Sequence, residues 1–271
     1  MVREELSRAI KNWRFLIGLA LVIGIVLVHQ VLFIIPQSQY LDLFQDDPML
    51  CPHSLFNKWI GLDFGCFMSL VLYWSLPLIV AFPFADSFLV DAKKGYAENL
   101  LIRCSRSAYL RAKLLAVGVT SAVLVAVPLV LDLFLTAAWM PAIFPQPITN
   151  TFPITFQSMW SELYYTQPWI YIVCYSMLDV IFISTTVVFS VAIGVFCSNN
   201  FEVLLIPFLL YLISYFLCMW LNVAEFSPMF FIFPHQPMWG MQFWIIAAEW
   251  LVMLAVIICF YFREKRHDIC I

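Results

Sequence analysis

Six times along this chain the polar residues thin out for about twenty positions or more and then return. The apolar stretches cover about 15–35, 64–85, 114–140, 168–196, 203–223 and 241–262. A hydrocarbon core about 30 Å thick needs roughly 20 helical residues per crossing, so each stretch predicts one transmembrane helix. The longest polar gaps, 36–63, 86–113 and 141–167, are loop-sized and leave no room for a separate soluble domain. The predicted fold class is an all-α polytopic membrane protein, with residues 1–271 forming a single transmembrane domain.

Shorter patterns lie between the long ones. Val2, Leu6, Ile10 and Trp13 recur at helical spacing, with Arg3, Glu4, Glu5, Arg8, Lys11 and Arg14 between them. This predicts an in-plane amphipathic helix over residues 1–14; the other reading is a first span simply extended into water. Residues 225–240, EFSPMFFIFPHQPMWG, are too apolar for an aqueous loop and too short to span, which predicts a re-entrant segment before the last span, sheltered by its neighbours. Pro77, Pro83, Pro128 and Pro207 predict kinks. The loop before the third span is long and basic while that before the fifth, CSNNFE, is tiny, so the halves do not mirror each other as repeat-built carriers often do.

Composition agrees: 63% hydrophobic and 11% charged residues are the proportions of a membrane protein. The charges are sorted by side. Thirteen of the fourteen Lys and Arg fall before span one, between spans two and three, or after span six, leaving only Lys58 on the other face. The positive-inside rule then places both termini and the 86–113 loop in the cytoplasm. Topology accounts for the basic clusters, so no nucleic-acid partner is expected. The first apolar run is too long for a secretory signal and is interrupted upstream by Glu4 and Glu5, so it reads as a permanent helix. Eight scattered cysteines without a C-x-x-C pair fit small buried hydrophobes; a Cys51–Cys66 bridge near the outer face stays open.

The loop DAKKGYAENLLIRCSRSAYLRAKLL, residues 91–115, holds six of the basic residues. Lys93 and Lys94 suit the negative end of a helix continuing from span two, and Gly95 is placed to end it in a left-handed conformation. A short helix follows, with Tyr96, Ala97, Leu100 and Leu101 on an apolar side and Glu98, Asn99 and Arg103 supplying polar contacts. Ser105 or Ser107 then caps the helix that becomes span three.

Three acids, Asp132, Asp179 and Glu249, fall inside predicted spans. Each costs roughly 2.5–3.5 kcal/mol at a helix centre if ionised and unpaired. With every Lys and Arg assigned outside the bilayer, the expected partners are Ser, Thr, Tyr, Trp or a wet cavity. The functional reading is a proton relay or substrate contact; the structural one is interhelical hydrogen bonding. Nucleophile elbows, H-E-x-x-H and phosphate loops are missing, so no catalytic residue is assigned. Met49, Cys51 and His53 mix soft and imidazole ligands of the kind that hold copper, but an ordinary loop explains them and no metal site is assigned.

Gly95, Leu100, Leu101, Ser105, Arg106, Tyr109 and Lys113, with the six-span layout, in-plane helix and re-entrant segment, resemble the membrane subunits of type-2, ABCG-like ABC exporters. Two features depart from that pattern: Cys104 stands near the usual proline, and Lys93 and Lys94 replace the usual acid before the glycine. The resemblance implies a multi-pass permease of the bacterial plasma membrane, acting as a dimer with a second copy or close paralogue. It also implies two separate cytoplasmic ATPase subunits that hold the ATP and Mg, with no cofactor on this chain. Residues 86–113 would carry a coupling helix, with Tyr96, Leu100 and Leu101 as anchors and Glu98, Arg103 and Arg106 setting orientation; the competing reading is a loop whose charges only fix topology. Spans two and five would line the path, making Tyr73, Trp74, Phe82, Tyr211, Tyr215 and Met219 candidate wall residues for a hydrophobic or amphipathic cargo such as a peptide antibiotic, drug or lipid. The alternative is a proton-coupled carrier using Asp132, Asp179 and Glu249; a membrane-embedded enzyme or assembly factor is the third reading.

Overall fold

The computed structural model describes residues 1–41, 53–102, 104–147 and 152–266, and its regular elements are all helical. A short α1, Val2–Ile10, precedes α2, Trp13–His29. The latter runs through a π-helical turn, Gln30–Ile34, into α3, Ile35–Ser38, giving one apolar rod of 26 residues. Four more helices have the length and composition to cross a membrane: α8, Arg106–Trp139; α10, Pro168–Gly194; α11, Asn200–Trp220; and α13, Phe243–Arg266.

The second predicted span is the exception. Its helix, α5, is Phe67–Ala81, 15 residues or about 22 Å long. It stops at a turn over residues 82–86 and resumes as α6, Ser87–Lys93. Pro83 accounts for the break, because it has no N–H for the carbonyl four residues back and its ring restricts Phe82. The carbonyl of Pro83 is used instead by Asn12 Nδ2, at 2.9 Å.

Helices α8 and α10 form the central pair; α2 packs on α8 and α5, α11 packs on α5 and α10, and α13 lies along α10. The core runs between them through Leu76, Leu124, Val125, Tyr175, Phe182 and Val187. Helices α11 and α13 leave most of their residues on the surface, a pattern suited to lipid or to another chain.

Among the described residues, the Lys and Arg other than Lys58 collect at one end of the bundle. There Arg106 pairs with Glu264 at 2.8 Å, joining the start of α8 to the end of α13, and Arg263 lies 5.2 Å from the ring centroid of Phe196. The far end is capped by α4, Leu55–Lys58, α9, Ser161–Thr166, and α12, Pro228–Phe231, with their connections. Tyrosines bind this cap to the bundle. Tyr175 Oη donates to the carbonyl of Phe231 at 2.7 Å, Tyr171 Oη to that of Pro234 at 2.5 Å, and Tyr164 Oη to that of Phe56 at 2.7 Å. Gln236 clasps the backbone of Met159 from both sides, accepting from its N–H at 2.7 Å and donating to its carbonyl at 2.8 Å. Non-helical backbone can be buried here because its polar groups find such partners.

Helix α1 turns out differently from its apolar pattern. Glu5 and Ala9 are buried against the protein, whereas Val2, Ile10 and Trp13 are exposed. Glu5 turns inward because Lys113 waits there, while Val2 and Ile10 are left on the surface.

Candidate functional site

At the basic end the chain folds helix, tight turn, helix. Helix α6 ends at Lys93, Gly95 takes φ +67°, and α7, Tyr96–Leu101, follows. Only glycine enters that left-handed region without a steric cost, so the turn is written into the sequence. Ser105 occupies the N-cap position of α8, although its side chain makes no capping hydrogen bond.

No residue of α7 is buried. Tyr96 and Glu98 are exposed, Leu100 and Leu101 half-covered. The adjoining Ile102 is 83% exposed, among the most exposed large apolar side chains of the molecule. Sequence reasoning passed over Ile102, although it completes an unbroken Leu100–Leu101–Ile102 triplet. Arg103 lies outside the described residues. Arg106 has its guanidinium on Glu264, beside a small cavity of about 90 Å³ that Glu98 and Leu101 also line.

Behind α7 stands a cluster that the sequence reading missed. Lys113, expected in the exposed loop, is fully buried, with Nζ 2.6 Å from Glu5 Oε2 and 2.6 Å from Asp91 Oδ2. Arg8 reaches the same Asp91 with both guanidinium nitrogens, at 3.0 and 2.5 Å, and Glu5 at 3.2 Å. Tyr109 Oη donates to Asp91 at 3.3 Å. Two cations and two anions from α1, α6 and α8 thus balance one another, with Lys113, Glu5 and Asp91 buried and Arg8 at the water's edge. Burial opposes ionisation of Asp91, but the hydrogen bond from Arg8 and the charge of Lys113 outweigh it and hold the carboxyl below its usual range. The Arg8 guanidinium, bonded to Asp91, is in turn held above its usual value. Arg8 also lies 4.3 Å from the ring centroid of Tyr96, which carries the cluster to the first residue of α7. A signal for Lys113 was present: Tyr109, Lys113, Ala116, Val117 and Thr120 share one helical face, and that face is buried.

The three acids of the predicted spans fall into separate surroundings. Asp132 accepts from His29 Nδ1 at 2.7 Å, Gln30 Nε2 at 2.8 Å, the backbone N–H of Ile60 at 2.7 Å and, more weakly, Thr136 Oγ1 at 3.4 Å. Its partner is therefore the imidazole of the first span, which a search confined to Lys and Arg overlooked. Asp179 accepts from Tyr73 Oη at 3.3 Å, and its Oδ1 is buried without a partner. Glu249, half-buried, lines a cavity of about 370 Å³ between α10, α11 and α13.

Of the candidate wall residues, Tyr73 and Tyr211 are buried within the bundle. Trp74 and Tyr215 meet across α5 and α11 with ring centroids 5.9 Å apart, and Trp74 and Met219 keep exposed surface. Phe82 packs edge-on under Trp13 at the basic end. Met49 and Cys51 lie outside the described residues, and Cys66 carries a free thiol.

No protein-family model, curated protein or solved structure matches the chain. What the fold defines is a helical protein with, among the described residues, five helices long and apolar enough to span a membrane.

Proposed function

We propose that this chain is the transmembrane subunit of an ATP-driven exporter of the type-2, ABCG-like class, working as a dimer with separate ATPase subunits. One observation carries the reading: α7 lies at the basic end with none of its residues buried, yet α6 and α8, which flank it, are braced to each other and to α1 by charged contacts, and Arg8 of that cluster lies against the ring of Tyr96. An exposed apolar triplet on a stiff mount has the form of a docking element, because anchors bind tightly only when their support does not yield. On this reading Tyr96, Leu100, Leu101 and Ile102 enter a groove on the ATPase, and the ion cluster passes its movement to α8. Helix α5 and the turn after it make the sixth crossing, α6 continues beyond the membrane on the cytoplasmic side, and residues 225–240 dip below the outer surface. Tyr175 supports that dip, since it lies about 10 Å along α10 from its first residue and still bonds the Phe231 carbonyl. The exposed faces of α11 and α5 suit a second copy enclosing a path for an apolar or amphipathic cargo.

The test is reconstitution of the chain with its ATPase partner in lipid vesicles. Replacing Leu100, Leu101 and Ile102 together by serine is expected to abolish assembly and cargo-stimulated ATP hydrolysis while the melting temperature falls only slightly, because none of the three side chains is fully buried. Normal assembly and hydrolysis in that variant rule the reading out.

A proton-coupled carrier is the second reading, favoured by the unpartnered Oδ1 of Asp179. It requires transport driven by a pH gradient without ATP and lost in Asp179→Asn.

A further inference from the structure

At the far end of α2 three residues distant in sequence converge. His29 is the last residue of α2, Asp63 follows Gly61 and Leu62 in the turn after α4, and Cys66 is the N-cap of α5. One ligand atom from each, the imidazole nitrogen, a carboxylate oxygen and Sγ, all lie within 4.8 Å of one another, and all three residues are buried. We propose that His29, Asp63 and Cys66 bind a divalent metal ion of the zinc type.

Four features point to a ligand rather than to simple packing. First, Nε2 of His29 is fully buried and has no hydrogen-bond partner; it stands 3.8 Å from Asp63 Oδ2, too far for a hydrogen bond. Metal–ligand bonds of about 2.0–2.3 Å at tetrahedral angles put neighbouring ligand atoms roughly 3.3–3.7 Å apart, so that separation is already near what zinc requires. Second, the ring is set for ligation. Its Nδ1 is 2.7 Å from Asp132 Oδ1, so an Nδ1–H donated there leaves the Nε2 lone pair facing Asp63 and Cys66. A carboxylate behind the distal nitrogen is the usual support of a metal-bound histidine. Third, the charges close. Asp63 and Asp132 carry two negative charges, and Lys58 Nζ, 3.6 Å from Asp63 Oδ1, supplies one positive. Binding a dication to the neutral ring and releasing the Cys66 proton to water adds one more and leaves the buried group neutral. An imidazolium would give the same balance, so the ion replaces the ring proton at no net cost in charge. Lys58 lies on the other carboxylate oxygen, so Oδ2 remains for the metal. Fourth, adjacent residues of a regular helix diverge by about 100°, yet His29 and Gln30 both reach Asp132, and the π turn beginning at Gln30 is where the helix widens. Three protein ligands leave the fourth position for a water. The ion would tie α2 to the segment leading into α5.

The test uses the full chain in detergent with a reductant, stripped by chelator and titrated with cobalt(II) as the probe. One cobalt per chain is expected, with a sulfur-to-metal charge-transfer band and the intense d–d bands of a tetrahedral site, displaced by zinc. Cys66→Ser should abolish the charge-transfer band, and Asp132→Asn should keep it while weakening binding about 10- to 100-fold. Folded wild-type protein that retains no cobalt, or a band surviving Cys66→Ser, overturns the proposal. X-ray absorption of the zinc-loaded wild-type chain needs no variant: one sulfur at about 2.3 Å supports the site, and a shell of nitrogen and oxygen alone refutes it.

Discussion

Lys113 and Asp91 are joined by a 2.6 Å hydrogen bond in which the ammonium is fully buried. The bond ties α6 to α8 across the connection that contains α7, so the projecting helix is held at both of its roots. Glu5 and Arg8 complete the balance from α1. A buried pair of this kind adds little to net stability but is expensive to break from one side, since the orphaned charge stays behind. Lys113→Met should therefore lower stability by about 3–5 kcal/mol, read as a fall in melting temperature in detergent. A combined replacement of Lys113 and Asp91 by Met and Leu should recover much of that loss. Equal damage in the single and double variants would show that the two residues do not act as a pair.

The same cluster sets an acid limit. The folded state holds the Asp91 carboxyl below its usual range, so the unfolded chain binds the proton first as pH falls. Its contribution is complete above the unfolded value of about 3.9 and is lost as pH drops through the lower folded value. Melting should show no Asp91-dependent change between pH 7 and 5 and a steeper decline below about pH 4. In Asp91→Asn that part of the decline should be missing, although the variant starts less stable.

Gly95 offers a test of the turn alone. Its φ of +67° suits glycine, and a Cβ there meets nothing within 4 Å. Gly95→Ala should cost only the backbone term, about 1–2 kcal/mol, with no clash added. Because α7 follows directly, the docking role proposed for it requires that the variant weaken ATPase assembly even where the melting temperature falls only by that amount.

The far-end cap depends on tyrosine hydroxyls. Tyr175→Phe leaves the Phe231 carbonyl buried without its donor, which should cost about 1–3 kcal/mol. Faster hydrogen exchange at residues 224–236 with little change in the bundle helices would locate the loss; uniform acceleration would refute a local role.

Gly61 lies where the cap is tightest. A Cβ would stand 2.6 Å from the Trp59 ring and 2.9 Å from Pro234. Gly61→Ala should therefore destabilise by about 1–3 kcal/mol through overpacking, seen as a lower melting temperature.

How far each feature could be read in advance follows from its range along the chain. Hydrophobic runs of helix length predict helices whatever they pack against, so the long rods, the Gly95 turn and the short helix after it were legible residue by residue. Pro83 was legible too, but only as a kink; that the helix stops at Ala81 and restarts as α6 was not, nor was the partner of the freed Pro83 carbonyl, Asn12, 71 positions away. The inward charged face of α1 was hidden for the same reason. Its apolar pattern was plain, yet Lys113 and Asp91 decide which side turns in, and they lie 108 and 86 residues beyond Glu5.

Sequence alone determined that this chain is helical, apolar enough for a bilayer and basic in three short regions, because those properties are sums over neighbouring residues. Only the tertiary structure decided that Asp132 meets His29, that Cys66 and Asp63 join them, and that Lys113 is withdrawn from water. Those are meetings between helices, set by which faces pack together, and no local period along the chain encodes them.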